Sequence, residues 1–202
     1  MEVDTPHGPA RAHLRLVAEP CGTLVLGHGA GGGVGARDLG AVTTAAESEG
    51  FGVILVEQPY RVAGRRSPAP AGQLDESWVA VVEELCRQEL VHGPLVAGGR
   101  SSGARVACRT SDQTGAAGVL CLAFPLRPPR RGDRPPAATR IDELDAVSVP
   151  VLVVQGESDP FGMPPDAQGR TVARVAGTHS LTSDLPAVAE AARTWLAELA
   201  GR

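Results

Sequence analysis

Continuous apolar runs alternate along this chain with stretches whose apolar residues recur at helical spacing. The run GTLVLGH (22–28) predicts a strand buried on both faces, as do VILVE (53–57), PLVAGG (94–99), GVLCLAF (118–124) and VPVLVVQG (149–156). A shorter strand, TVARVA (171–176), follows, and an early strand near 12–18 is expected at a sheet edge. Leu74, Trp78, Val81 and Leu85 mark a helix with one buried face, and helices are expected at 37–50, 102–109 and 186–200. Val188, Ala192, Trp195 and Leu199 share one side of the last of these. Doubly buried strands alternating with helices predict a three-layer α/β fold, its sheet mostly parallel and covered on both faces. Ligands bind such sheets beyond the carboxyl ends of the strands, so the chemistry is sought in the strand-to-helix loops.

At 202 residues, with 43% hydrophobic and 21% charged positions, the chain suits one domain spanning residues 1–202. A net charge of −4 gives no bias toward nucleic acid or an anionic membrane. All 19 basic residues are Arg, and Lys is absent. That absence excludes Schiff-base and pyridoxal-phosphate chemistry, P-loop phosphate binding and Ser-x-x-Lys acyl transfer. The four cysteines, Cys21, Cys86, Cys108 and Cys121, form neither a zinc motif nor a disulfide framework. With no secretory signal and no apolar span, a cytoplasmic protein is expected.

The loop after the 94–99 strand reads GGRSSGAR (98–105). Within it, Gly99-x-Ser101-x-Gly103 fits a nucleophile elbow, where a tight strand-to-helix turn needs small residues two before and two after the serine. Ser102 is the rival nucleophile, but it would place Arg100 where a small residue is required. A serine nucleophile needs a base, and the base an orienting acid, here expected in the order Ser, acid, His. Asp159 stands just past the 149–156 strand and His179 just past the 171–176 strand. Glu157 is an alternative acid nearer the strand, and Asp159-Pro160 also reads as a plain turn. His7, His13 and His92 carry no such placement.

The segment Gly27-His28-Gly29-Ala30-Gly31-Gly32 satisfies G-x-G-x-x-G, and Glu57 ends the next strand, which is the dinucleotide-binding pattern. Against it, Gly31 to Gly33 and Gly35 start a helix poorly, and Ser101, Asp159 and His179 are left unexplained. The competing reading is an oxyanion loop. Its backbone donor is Ala30 or Gly31, the second donor is the N–H of Ser102, and His28 braces the turn.

Together HGAGGG (28–33), GGRSSGAR (98–105), FPLRPP (124–129), VLVVQGESDPFG (151–162) and GTHSL (177–181) resemble the α/β-hydrolase superfamily over nearly the whole chain. More closely, the chain resembles small hydrolases related to dienelactone hydrolase and to a subunit of a nonspecific-lethal histone acetyltransferase complex. Ser102 and Ala104 stand where such relatives often carry Met and Gly. The resemblance implies Ser101 as nucleophile, His179 as base and Asp159 as its partner. The expected reaction is hydrolysis of a small acyl substrate through an acyl-enzyme, without cofactor or metal, and without nucleic acid or membrane partners. The alternative is a non-catalytic interaction module on the same scaffold. Where larger relatives insert a lid, only a Pro/Arg-rich stretch stands (125–140), with five Arg against one Asp. It reads as a solvated loop, or as arginines, Arg130 and Arg131 among them, attracting an acidic substrate. A lidless site suits short-chain or exposed esters.

Overall fold

Buried strands of five to seven residues make up the centre of the sheet, and its amino-terminal edge is closed by a six-residue strand and a two-residue one outside it. The computed structural model describes residues 1–128 and 137–201. Its strands are β1 (Glu2–Val3), β2 (Ala10–Arg15), β3 (Gly22–Gly27), β4 (Phe51–Glu57), β5 (Leu95–Arg100), β6 (Gly118–Leu122), β7 (Val151–Gly156) and β8 (Arg170–Val175). They lie in the order β1-β2-β4-β3-β5-β6-β7-β8. β2 is antiparallel to both β1 and β4, and every pairing from β4 to β8 is parallel.

The helices are α1 (Arg37–Ser48), α2 (Pro59–Val62), α3 (Ala71–Arg87), α4 (Ser102–Thr110), α5 (Ile141–Asp145) and α6 (Leu185–Ala200). Alternation along the strands assigns each face its cover. Leu24 and Leu26 of β3 join Leu39 and Val42 of α1 and Val188, Ala192 and Leu196 of α6. Val25, between them, joins Trp78 and Val81 of α3 and Ala104 and Ala107 of α4 on the other face. The result is the expected three-layer arrangement, and no lid domain stands over the sheet among the described residues.

Differences from the sequence pattern are local. β1, α2 and α5 were not expected, because two, four and five residues are too few to show a period. β2 starts and ends earlier than 12–18 and lies one strand in from the edge, because β1 pairs along its outer side. β7 starts after Pro150 rather than at Val149, as proline lacks the N–H that a ladder needs. β4 begins at Phe51, since Phe51 and Gly52 pair with Gly22 and Thr23.

At the far edge, the Val172 N–H of β8 donates to Asp166 Oδ1 at 2.9 Å, a carboxylate cap that discourages pairing with another strand. Among the described residues no helix is long and apolar enough to cross a membrane, and no group of three or more His, Cys, Asp or Glu could hold a metal ion. Arg130 and Arg131 lie outside the described residues.

Trp78 is fully buried at the centre of the α3–sheet interface. Trp78→Ala is expected to lower the unfolding free energy by about 3–5 kcal/mol, as large cavities do. Denaturant titration measures this, and a loss below about 1 kcal/mol would place the core elsewhere.

Candidate active site

β5 leads into α4 through Ser101, whose backbone sits at φ 53° and ψ −105°. That conformation is unfavourable for a residue with a Cβ, by about 1–3 kcal/mol, and persists only when the surroundings impose it. Here the backbones of Gly27, Gly99 and Gly103 are in contact. A Cβ on Gly99 would lie 2.5 Å from the Gly27 carbonyl oxygen, and one on Gly103 would collide with the same group. The Ser101 N–H donates to the Leu122 carbonyl at 2.8 Å, tying the turn to the end of β6. Ser102 is the first residue of α4 and so does not occupy the turn apex.

The three residues placed on separate loops by the sequence meet at the carboxyl ends of the strands. Asp159 lies after β7 and His179 after β8. Ser101 Oγ is 2.9 Å from His179 Nε2, and His179 Nδ1 is 2.8 Å from Asp159 Oδ2. A carboxylate only accepts, so Nδ1 carries the ring proton and Nε2 is left to accept from the serine hydroxyl. The Asp159 side chain is 1% exposed and that of His179 is 19% exposed, so the imidazole reaches solvent while the carboxylate does not. Glu157, the alternative acid, is exposed and stands apart from this relay. Phe161 stacks on the imidazole with ring centroids 4.2 Å apart.

Asp159 is held on both oxygens. Oδ2 also accepts from Gln155 Nε2 at 2.8 Å, and Oδ1 accepts from the Phe161 N–H at 2.8 Å. Gln155, wholly buried in β7, shares its two N–H donors among Asp159 and the Phe124 and Gly162 carbonyls, which joins the end of β6 to the Asp159 loop. Sequence reading missed Gln155, though a lone amide inside an apolar strand, four residues before the acid, was a usable signal.

The glycine-rich loop after β3 runs to α1 without forming a helix until Arg37. The first turn of that helix carries the buried Asp38, a poor neighbour for a pyrophosphate, so the dinucleotide pattern finds no phosphate site here. His28 braces the loop as expected. Its Nδ1–H donates to the Gly29 carbonyl at 2.8 Å and its Nε2 accepts the Gln58 N–H at 3.1 Å. Tyr60 Oη, unforeseen, donates to the Ala30 carbonyl at 2.9 Å. The N–H groups of Ala30 and Ser102 take part in no hydrogen bond among the described residues. Burial lowers the His28 pKa below its ordinary 6.5, and burial raises that of Asp38 despite the guanidinium of Arg100 beside it.

Strand order, strained elbow and loop placement together define an α/β-hydrolase fold. The chain belongs to that family: the model described as an alpha/beta hydrolase domain matches residues 20–184. Est1E from Butyrivibrio proteoclasticus, solved with ferulic acid bound, aligns with a TM-score of 0.79 and 17% identity over 100% of both chains. An α/β serine hydrolase without a lid from Xanthomonas campestris aligns with a TM-score of 0.72 and 20% identity, over 96% of this chain and 93% of its own. Dienelactone hydrolase from Anabaena variabilis aligns with a TM-score of 0.73 and 15% identity, over 98% and 95% respectively. At these identities the likeness is one of fold. No curated protein sequence matches the chain significantly.

The His28 brace makes stability depend on pH. The unfolded chain takes up a proton on this ring near 6.5, whereas the folded ring resists it, because Nε2 must stay free to accept. The contribution is therefore complete above that value and is lost as pH falls below it. The thermal midpoint of the wild type is expected to drop more steeply between about pH 7 and 5 than that of His28→Asn. Parallel pH dependences in differential scanning fluorimetry would contradict the assignment.

Proposed function

We propose that this chain is a serine hydrolase that cleaves small or exposed carboxylic esters. The observation that carries the reading is the continuous relay from Ser101 Oγ through His179 to the buried Asp159 carboxylate, with contacts of 2.9 and 2.8 Å. Three side chains far apart in sequence and aligned in this order suit proton transfer from a nucleophile.

In the proposed reaction His179 Nε2 accepts the Ser101 hydroxyl proton as Oγ attacks the substrate carbonyl carbon. Asp159, accepting from Nδ1–H, stabilises the imidazolium that forms. The negative charge on the former carbonyl oxygen is taken up by the N–H groups of Ala30 and Ser102. Ser102 adds the positive end of the α4 dipole. The imidazolium returns its proton to the departing alkoxide, leaving an acyl group on Ser101. Water then gives a proton to Nε2 and attacks the acyl carbon, and collapse of the second tetrahedral intermediate restores the serine hydroxyl and releases the acid.

With no lid domain among the described residues, the proposed site favours substrates that need no deep enclosure. Short-chain aryl esters are the first substrates to test. Ferulic acid in Est1E makes hydroxycinnamate esters the second. The protein is expected to be labelled by a fluorophosphonate and to turn over p-nitrophenyl acetate, and Ser101→Ala is expected to abolish labelling. Turnover should fall by about 10⁴-fold or more in Ser101→Ala, and by about 10⁴-fold in Asp159→Asn, which leaves the base in the wrong tautomer. Folded wild-type protein that is neither labelled nor active would favour a non-catalytic interaction module.

A further inference from the structure

Two consecutive residues of the elbow grip the same residue of the base loop. Ser101 Oγ meets the His179 ring, and Arg100 Nη2–H donates to the His179 main-chain carbonyl at 3.0 Å. The other arm of the same guanidinium, Nε–H, donates at 2.8 Å to Oδ2 of Asp38 in the first turn of α1. The Asp38 carboxylate is 1% exposed and Arg100 is 18% exposed, and Asp38 Oδ1 accepts the Leu39 N–H at 2.9 Å. One planar side chain therefore links helix α1, the nucleophile turn and the loop that carries the base.

We propose that Arg100, oriented by Asp38, is a positioning residue that holds His179 against Ser101. This rests on the triad reading of the same site. The base loop has a separate tie to the acid loop, where the Ser158 N–H donates to the Gly177 carbonyl at 2.9 Å, and the ring itself is held by Asp159. Those contacts make the imidazole follow the acid. They register it against the nucleophile, which belongs to a different strand, only indirectly, through Gln155 and the end of β6. Arg100 supplies that register through a bond to the backbone, so it persists when the Ser101 hydroxyl leaves the ring to attack. The geometry needs a guanidinium: two donors fixed in one plane span a carboxylate on one side and a carbonyl on the other, whereas a lysine ammonium has no such fork. The exposed pair of Arg87 with Glu84, by contrast, joins neighbours on one helix and fixes no loop. A buried pair is weak evidence of stability but can enforce one arrangement over others.

The test compares wild type with Arg100→Met, Arg100→Lys, Asp38→Leu and the double variant Arg100→Met/Asp38→Leu, using p-nitrophenyl acetate. Displacing a base by about 1 Å costs on the order of 100-fold, so kcat of Arg100→Met is expected to fall by about that factor. KM should stay within about threefold, because the residue touches no substrate. Arg100→Lys, keeping the charge and one donor, is expected to recover about tenfold of the loss. The double variant should be no slower than Arg100→Met, since the two residues act as one unit. Amide hydrogen exchange gives a readout separate from hydrolysis: the Leu181 N–H, bonded to the Thr178 carbonyl in the base loop, should exchange about tenfold faster in Arg100→Met. If Arg100→Met does not fold, Asp38→Asn, which keeps an acceptor for the guanidinium, is read in its place and should show the same effects in smaller measure.

A kcat within twofold of wild type, a loss carried by KM, or unchanged Leu181 exchange would each overturn the clamp. If wild-type protein is itself inert to ester and fluorophosphonate, the triad reading fails, and the exchange measurement alone still decides whether Arg100 holds the loop.

Discussion

The backbone contact among Gly27, Gly99 and Gly103 is the constraint on which the rest of the site depends. β5 can turn into α4 within one residue only if both ends of the turn press against the end of β3, and neither position tolerates a Cβ there. The turn leaves Ser101 in a left-handed conformation that a residue with a side chain adopts only under compulsion. Several features follow from that one bend. The Ser101 side chain stands clear of the sheet toward His179, the Ser102 N–H opens α4 beside it, and Arg100 is turned back toward α1 and the His179 loop. The strain is offset by the surrounding core, with Leu24, Leu26, Val25 and Trp78 buried in the layers beneath.

Around this bend the site is organised by polar groups that water reaches poorly. Asp159 accepts from an imidazole, an amide side chain and a main-chain N–H, so its charge is satisfied without solvent. His28 is satisfied in neutral form beneath the glycine-rich loop, and Tyr60 secures the Ala30 carbonyl, while the Ala30 N–H has no partner among the described residues. In the proposed reaction this arrangement matters because donors already oriented need no rearrangement as charge appears. The contact between Phe161 and the imidazole adds an apolar wall beside His179.

The elements most legible in the sequence were those with long, unbroken patterns. Buried strands such as 22–28 and 118–124 declare themselves by being apolar throughout, and Trp78 and Val81 by their spacing, so the layered fold was readable. The positions of Ser101, Asp159 and His179 were readable too, because strand ends in a parallel sheet face one rim. What stayed hidden were contacts between residues far apart in sequence. Nothing local in ARD (36–38) announces that Asp38 will meet Arg100, and Tyr60 reads as an ordinary aromatic until α2 folds over the glycine-rich loop. Gln155 was missed as well, though it carried a signal: an amide within an apolar strand needs partners, and Asp159 four residues on was one of them. β1, α2 and α5 were invisible for a different reason, being too short for their period to repeat.

The central claim is that Ser101 becomes covalently acylated. Rapid mixing with p-nitrophenyl acetate, followed by an acid quench and peptide mass mapping, tests it most directly. The account predicts an initial burst of p-nitrophenol approaching one equivalent per chain wherever deacylation is slower than acylation, with an acetyl group on the peptide bearing Ser101. An acetyl group recovered only on another residue, such as His7 or Cys86, would contradict it. So would turnover that is retained in full by Ser101→Ala.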